Sequence, residues 1–435
     1  MERNKCLGTL STALLVVVAT LAWASGAAGS QLEGEPDAAG AYNVLHLFTW
    51  AKYPIGNLIF DKAGNLYGTT FDGGGSGCYG FGCGVVWKLG RNLKGNWTVS
   101  ILHTFTGGAD GGNPKGGLIF DAAGNLYGTT STGGVSGMGV VFKLKPNPDR
   151  TWTESVLHTF TAHGDGDGPN TALTWDAAGN LYGATGEICS PCAPQGATVF
   201  RLAPNPDGTW TYSSLYVFTG GADGNIANDG LIFDAAGNLY GTTEGGGDLS
   251  ACGPGIGCGV VFKLKPNPDG TWTESVLHTF GETADGAQPS AGLIFDAAGN
   301  LYGTTTAGGY CASTHTVGCG VVFQVSPKGD GTWSESVLYY FSGGADGASP
   351  YSGLVFDAAG NLYGTTSTGG ATPASCYVET SPLSGCGVVF KLEPSSTPLE
   401  RDSAPQFCRL RKVSVFPSDF RPGGQSLRYH IGGQR

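Results

Sequence analysis

One block of residues recurs through the chain. It reads Gly-Leu-Ile-Phe-Asp-Ala-Ala-Gly-Asn-Leu-Tyr-Gly-Thr-Thr at Gly117–Thr130, and near copies begin at Asn57, Ala172, Gly230, Gly292 and Gly353. Self-similarity at a regular spacing indicates an array of equal structural units, and a residue that recurs in every copy usually belongs to the scaffold. A chain of 435 residues would otherwise suggest two or three domains. The repeat therefore constrains the fold more than length does.

Each copy predicts a meander of four strands. Leu118–Phe120 and Leu126–Thr130 are short apolar, aromatic and Thr-rich runs, and the turn residues Asp121–Asn125 between them indicate a hairpin. Gly139–Leu144 is the third strand and ends at a Pro- and Asp-rich turn. Thr151–Phe160 alternates bulky and polar residues and is the fourth strand.

Such a small sheet cannot bury both faces alone, so the copies must stack. Six radial four-stranded antiparallel blades give an all-β, six-bladed β-propeller over residues 41–394. The third strand of copy six, Gly387–Leu392, has no fourth strand after it, whereas Asn43–Phe48 is an unpartnered fourth strand before copy one. We therefore predict that the N-terminal strand completes the last blade and closes the ring, whereas an open solenoid would need caps.

Both ends of the chain differ from the repeats. Residues 1–31 carry Arg3 and Lys5, then the apolar run Leu10–Ala22 and small residues, which predicts a signal peptide cleaved near 24–30. We expect an exported protein without a transmembrane segment after cleavage. Residues 395–435 are basic and lack the repeat, which predicts a disordered tail or, alternatively, an anchor for an acidic surface.

Ten of the twelve cysteines form close pairs in the loop between the second and third strands. Only long loops carry a pair, which favours loop-stapling disulfides in an oxidising compartment. Cys-x-x-Cys at Cys189–Cys192 also fits a redox or zinc motif, but it has no second ligand pair. The predicted disulfides are Cys78–Cys83, Cys189–Cys192, Cys252–Cys258, Cys311–Cys319 and Cys376–Cys386.

Connectivity sorts the loops onto two faces. The first face has the first-to-second and third-to-fourth turns, which barely change between copies. The second face has the second-to-third and fourth-to-first loops, which vary. Because binding residues concentrate on loops held by a rigid frame, we predict that the second face and the adjoining channel mouth carry function.

The fourth-to-first loops repeat a Gly-Ala-Asp-Gly pattern. A ring of carboxylates at the channel mouth would suit Ca²⁺, although each loop offers one carboxylate among glycines and turn formation is the favoured interpretation. No cofactor is otherwise predicted. These weak calcium candidates are Asp110, Asp165, Asp223, Asp285 and Asp346.

Several aromatic residues break the repeat on the second face. They are candidates for stacking against a sugar or peptide, although single exposed aromatics also occur without function. These ligand-binding candidates are Trp50, Tyr53, Tyr79, Phe81, Tyr310, Tyr351 and Tyr377. By contrast, one tryptophan recurs in the fourth strand and predicts packing between blades: Trp97, Trp152, Trp210, Trp272 and Trp333.

The histidines do not indicate an enzyme. His46, His103, His158 and His278 share one fourth-strand position, which favours a structural role, and Tyr216 and Tyr339 replace them elsewhere. His163 and His315 lie on loops without a nucleophile pattern. No catalytic residue is predicted, because the copies are too alike and too glycine-rich at the mouth to show a cluster from different blades.

The quoted block, followed by Gly-Val-Val-Phe-Lys-Leu and Leu-His-Thr-Phe, resembles the GloVer repeat of bacterial choice-of-anchor tandem-repeat proteins. The resemblance covers about Asn43–Leu392, although the third copy departs at Thr174-Trp175 and Gly183-Ala184-Thr185. The hairpin is also similar to NHL-type propeller repeats. The resemblance implies an exported bacterial protein.

Three functions remain open. The leading hypothesis is a secreted, non-enzymatic, monomeric propeller that binds an extracellular carbohydrate or protein through its variable, disulfide-stapled loop face. The second is a lyase, lactonase or glycoside-cleaving enzyme at the channel mouth, and the third is a structural envelope or matrix component. The net charge of −11 argues against nucleic acid as a partner.

Overall fold

The protein is an all-β, six-bladed propeller of four-stranded antiparallel blades arranged in a ring. A computed structural model describes residues 45, 51–92, 95–186, 196–228, 230–253, 256–281, 284–311, 318–370 and 387–393. The predicted signal peptide and the tail at 395–435 lie outside these residues. Within the described ranges, no helix has the length and apolar character that a membrane crossing requires.

The first three blades follow the repeat closely. Blade one contains β1 (Ala51–Phe60), β2 (Leu66–Gly73), a 3-10 turn η1 (Cys78–Gly80), β3 (Val85–Arg91) and β4 (Trp97–Thr104). Blade two contains β5 (Ile119–Phe120), β6 (Leu126–Thr130), β7 (Val140–Pro146) and β8 (Trp152–Thr159). Blade three contains β9 (Thr174–Trp175), β10 (Leu181–Ala184), β11 (Thr198–Pro204) and β12 (Trp210–Val217).

The next three blades repeat this order. Blade four contains β13 (Asn225–Ala227), β14 (Ile232–Phe233), β15 (Leu239–Gly245), β16 (Val260–Pro266) and β17 (Trp272–Thr279). Blade five contains β18 (Ile294–Phe295), β19 (Leu301–Thr305), β20 (Val321–Pro327) and β21 (Trp333–Tyr340). Blade six contains β22 (Val355–Phe356), β23 (Leu362–Thr365) and β24 (Val389–Leu392) within the described residues.

Each blade is a meander of antiparallel strands, and in blade four the two short strands β13 and β14 both pair with β15. In blade two, Phe120 pairs with Leu126, Leu126 pairs with Leu144, and Leu144 pairs with Glu154. The second and third strands are buried along most of their length, and the fourth strand alternates between half-buried and exposed side chains. The predicted strand pattern is therefore confirmed, with the fourth strand on the outside of the blade.

The repeated aspartate closes the hairpin between the first two strands. The carboxylate of Asp121 accepts hydrogen bonds from the backbone N–H groups of Ala123 and Asn125, from the Asn125 side chain and from the Tyr127 hydroxyl. Gly124 adopts a left-handed φ of 83° at no steric cost, as this turn requires. Burial raises the pKa of Asp121, but these hydrogen bonds outweigh it and hold the pKa below its usual value.

Aromatic pairs form the contact between neighbouring blades. The phenylalanine after each fourth strand packs edge-on against the third-strand phenylalanine of the next blade, as Phe280 does against Phe323 with ring centroids 5.1 Å apart. The second-strand tyrosine also contacts the fourth-strand tryptophan of the next blade. These tyrosine–tryptophan pairs are Tyr67–Trp152, Tyr127–Trp210, Tyr182–Trp272 and Tyr240–Trp333. The predicted inter-blade role is confirmed for these four tryptophans.

The glycine in the second strand leaves room for this aromatic layer. A Cβ atom on Gly241 would lie 2.7 Å from the Phe262 ring and 2.9 Å from the Leu231 side chain. Real Cβ contacts are not that close, so a larger residue would displace the ring. The small residue in the repeated Leu-Tyr-Gly sequence is therefore a packing requirement.

Three predicted disulfides are present among the described residues. They join Cys78 to Cys83, Cys252 to Cys258 and Cys311 to Cys319. Each closes the loop between the second and third strands of its blade. The pairs Cys189–Cys192 and Cys376–Cys386 lie outside the described residues and stay predictions.

The predicted closing strand also lies outside the described residues, apart from Leu45. On the two blades that it would join, Leu58 and Val389 are exposed. Their equivalents in blade two, Leu118 and Val141, are buried. Closure of the ring by the N-terminal strand therefore stays a prediction.

We expect Phe280→Ala to destabilise the propeller by about 3–5 kcal/mol, because it empties a fully buried site between blades four and five. Urea unfolding followed by tryptophan fluorescence measures this effect. Val276→Ala is the control. Val276 is partly exposed on β17, the strand that Phe280 follows, so this change should cost less than about 1 kcal/mol. Equal losses for both variants would contradict this description of the blade interface.

Candidate functional site

The fourth-to-first loops of the second face contain a residue with an unusual backbone conformation. Five residues upstream of the leucine that begins the first-strand Leu-Ile-Phe or equivalent sequence, one residue adopts a left-handed φ of between 51° and 58° in all six copies. Five of these residues precede a proline, a position that normally favours extended backbone. The residues are Tyr53, Asn113, Gly168, Ile226, Gln288 and Ser349.

This left-handed residue connects two blades. The N–H of Asn113 donates to the Cys83 carbonyl of blade one at 2.7 Å, and the Asn113 carbonyl accepts from the Ser131 N–H of its own blade at 3.1 Å. Gln288 makes the same pair of bonds with Cys258 and Thr306. Gly168 and Ser349 repeat the arrangement at their own blade junctions.

The chain then turns toward the channel. The residue after the proline, or after Ala227 in blade four, differs in almost every copy, and we call it the mouth position. The mouth positions are Ile55, Lys115, Asn170, Asn228, Ser290 and Tyr351.

Hydrogen bonds join two mouth positions to a carboxylate. The Asn170 amide of blade three donates to the Asn228 side-chain carbonyl of blade four, and the Asn228 amide donates to Glu244 Oε2. Glu244 follows the Thr-Thr of the second strand, where blade three has Gly186. A Cβ atom on Gly186 would lie 2.7 Å from the Asn170 amide nitrogen. The absence of a side chain there leaves the space that Asn170 occupies.

Two further blades contribute to the electrostatic environment of Glu244. Lys115 of blade two and Tyr351 of blade six both interact with its charge. Blades two, four and six are not neighbours in the ring, so their side chains approach one another only around its axis. We define the mouth cluster as Lys115, Asn170, Asn228, Glu244 and Tyr351.

Burial raises the pKa of Glu244, while the hydrogen bond from Asn228 and the charge of Lys115 act in the opposite direction. Burial and the Glu244 carboxylate likewise raise the pKa of Tyr351. The carboxyl group of Glu244 is therefore easier to protonate than an ordinary glutamate. The cluster combines amide donors, one ammonium, one phenol and a carboxyl group held by hydrogen bonding.

The sequence analysis missed the mouth cluster. The hydrogen-bonded set Asn170, Asn228 and Glu244 is a polar group that the sequence analysis did not name, and the expectation that no catalytic cluster lies at the mouth stays a prediction. The available signal was the variable column after the repeated proline, which contrasts with the nearly constant residues that follow it. Comparing the six copies column by column would have found Lys115 as well, whereas Tyr351 was already a ligand-binding candidate.

The aromatic candidates occupy two parts of the second face. Tyr53 occupies the left-handed position of blade one, and Tyr351 belongs to the mouth cluster. Tyr79 and Phe81 lie in the loop closed by Cys78–Cys83, and Tyr310 precedes Cys311. All five are exposed, from 59% at Tyr351 to 102% at Tyr79. Trp50 and Tyr377 lie outside the described residues.

The five loop aspartates lie against outer strands. Each accepts from its own turn, as Asp223 does from Thr219, and each also meets the fourth strand of the preceding blade. These contacts are His103–Asp110, His158–Asp165, Tyr216–Asp223, His278–Asp285 and Tyr339–Asp346. Within the described part of the chain, no three His, Cys, Asp or Glu side chains form a group that could hold a metal. The Ca²⁺ hypothesis stays untested.

Two glutamates on outer strands have a strongly raised pKa. Burial raises the pKa of Glu154 to about 7, and the Asp110 carboxylate adds to this shift. Glu154 Oε1 is buried and has no hydrogen-bond partner among the described residues. Glu274 has the same environment beside Asp223, with a pKa of about 7. These groups recur at the outer rim and are separate from the mouth cluster.

Comparisons with known proteins identify one matching family model and several solved structures of similar fold. A family model described as the Gloeobacter/Verrucomicrobia repeat matches residues 25–254 and 199–401. A search of curated proteins found no match.

Among solved structures, the chain is similar to a gluconolactonase from Xanthomonas campestris, with 17% identity and a TM-score of 0.39 over 72% of this chain and 82% of the other. It is similar to a luciferin-regenerating enzyme, with 13% identity and a TM-score of 0.45 over 80% and 94% of the two chains. It is also similar to an ulvan lyase, with 12% identity and a TM-score of 0.45 over 71% and 75%.

We expect Glu154→Gln to stabilise the protein at pH 8 by about 1 kcal/mol or more, and to have little effect at pH 4. A carboxyl group whose pKa is raised on folding destabilises the folded state above its unfolded pKa, and the penalty is complete above about pH 7. Thermal unfolding across this pH range measures the difference. Glu274→Gln should repeat the pattern, and a gain that is independent of pH would contradict it.

Proposed function

Because the chain belongs to the Gloeobacter/Verrucomicrobia repeat family, whose repeats here form a propeller, we propose that it is a secreted protein that binds an extracellular saccharide. The ligand occupies the channel mouth and the adjoining disulfide-stapled loops of the second face. Binding without chemical conversion is the primary function.

The mouth cluster carries this proposal. Asn170, Asn228 and Glu244, which the repeats do not share, form one hydrogen-bonded set, and Lys115 and Tyr351 interact electrostatically with its carboxyl group. Asn170 and Asn228 are held in place by the hydrogen bonds that lead to Glu244. Preorganised polar groups lose little conformational entropy when a ligand binds, so they favour affinity and selectivity.

The chemistry of the cluster suits a saccharide. Amide and carboxyl groups form hydrogen bonds with hydroxyl groups, and small-molecule sites use a few such groups to fix orientation. Tyr351 and Tyr53 add exposed aromatic rings on neighbouring blades of the same face, where a sugar ring can stack. The stapled loops with Tyr79, Phe81 and Tyr310 extend this surface outward.

The disulfides support the secreted location. Three lie in loops of this face, and disulfides of this kind persist in oxidising compartments such as the periplasm or the extracellular space. They restrict loops that would otherwise lose more conformational freedom on binding a ligand. The disulfides therefore fit both an oxidising compartment and a set of loops that is preorganised for binding.

An enzyme at the channel mouth is the second candidate. The raised pKa of Glu244 fits a general acid, and the convergence of Asn170, Asn228 and Glu244 favours this alternative over a featureless channel. Glycoside hydrolysis, however, ordinarily uses two carboxyl groups flanking one bond. The mouth cluster contains one, so recognition is better supported than catalysis.

Titration of the oxidised protein against a saccharide panel tests the proposal, with calorimetry to measure affinity. We expect Asn228→Ala to weaken binding at least tenfold, about 1.4 kcal/mol, because it removes the link between Asn170 and Glu244. Asn205→Ala, which changes the same residue type in a turn of the first face, is the matched control and should bind normally.

Equal affinity of both variants would overturn the channel-mouth site. Release of new products from a bound saccharide, lost in Glu244→Gln, would replace the binder with the enzyme. A complete absence of binding would favour a structural role for the propeller.

A further inference from the structure

We propose that the saccharide recognised at the channel mouth is acidic, and that Lys115 is the residue that selects it by pairing with a uronate carboxylate or a sulfate ester. This inference rests on the proposed saccharide-binding function. It names the class of ligand, which the preceding argument leaves open.

Lys115 differs from every other mouth position. Among the mouth positions it is the one cation, in a column that otherwise holds Ile, Asn, Ser and Tyr. Its side chain is exposed, and its ammonium lies 5.8 Å from the centroid of the Phe71 ring. Among the described residues, no carboxylate lies within ion-pair distance of this ammonium.

The neighbouring acidic groups are already engaged. Asp72, which follows Phe71, accepts a hydrogen bond from the Asn113 side chain at 3.3 Å. Glu244 accepts from Asn228. Within the part of the chain that the structure describes, Lys115 therefore makes no ion pair and acts on Glu244 only at longer range.

The amide groups favour the same ligand class. Each side-chain amide of Asn170 and Asn228 has a second N–H beyond the one that donates within the cluster, and a charged acceptor gains more from such a donor than a neutral hydroxyl. The whole chain carries a net charge of −11, so an anionic ligand approaches against the overall field. Binding of an acid therefore needs a local cation, and Lys115 supplies it.

The test compares three oligosaccharide probes whose sugar rings have the same size. They are oligogalacturonate, the same oligosaccharide with its carboxyl groups reduced to alcohols, and a sulfated galactan oligosaccharide. The proteins are the wild type, Lys115→Met, which keeps the length of the side chain, and Lys62→Met, an exposed lysine in the first-face turn of blade one. Calorimetry at 50 and 200 mM salt measures the affinities.

We expect the wild type to prefer an acidic probe over the reduced one by about fivefold to tenfold, and salt to lessen this preference. Lys115→Met should abolish the preference by weakening binding of the acidic probes more than binding of the reduced probe, and Lys62→Met should behave as wild type. Tighter binding of oligogalacturonate identifies a carboxylate as the paired group, and tighter binding of the galactan identifies a sulfate.

Equal binding of acidic and reduced probes by the wild type would overturn the selection by Lys115 and leave saccharide binding intact. A preference that survives in Lys115→Met would also overturn it. If the wild type binds neither the probes nor any member of the saccharide panel, the proposed function itself fails.

Discussion

At four blade junctions, neighbouring blades are joined by a pair of backbone hydrogen bonds that the left-handed residue makes. At Asn113 the N–H binds blade one and the carbonyl binds blade two, so a single peptide segment sets the spacing between them. The same pair recurs at Gly168, Gln288 and Ser349. A non-glycine residue at positive φ is strained, and this strain persists only where the surroundings fix the backbone. Two bonds to two different blades provide that constraint.

The stapled loops are part of this junction. The carbonyls that bind Asn113, Gln288 and Ser349 belong to Cys83, Cys258 and Cys319, each the second cysteine of its pair. In blade two, which has no pair, Met138 provides the carbonyl for Gly168. Loop length therefore varies on the second face without moving the acceptor. This separation lets the loops diverge while the mouth keeps its geometry.

Much of the fold followed from the repeat because its interactions are local or recur between adjacent copies. Asp121 contacts residues two to six positions away, and the tryptophan positions contact the preceding blade in the same way at each junction. Sequence periodicity reports such contacts directly. The left-handed residue before proline was not predictable in this way, because its local preference is for extended backbone and two neighbouring blades override that preference.

All members of the mouth cluster except Tyr351 were not predicted, and the reason is different. Asn170 and Asn228 are 58 positions apart, and their contact exists only after the ring brings consecutive first strands to one axis. Glu244 stands where other copies have Phe71, Ser131, Thr306 and Ser367, so its role depends on a neighbour that the repeat does not specify. Among residues that differ between copies, aromatic side chains are the more obvious ligand-binding candidates from residue type alone, whereas asparagine is common in turns and does not stand out.

The mouth cluster also has an energetic cost that the scaffold does not require. Burying a carboxyl group disfavours its charged form, and the raised pKa of Glu244 reflects this penalty despite the hydrogen bond from Asn228. The serine and threonine found at this position in other blades avoid the penalty. In a repeat array, every copy can adopt the residue that suits the junction best. The stability of the ring therefore does not require a half-buried acid, two linked amides and a lysine that makes no ion pair among the described residues, and their presence accords with the proposed binding function.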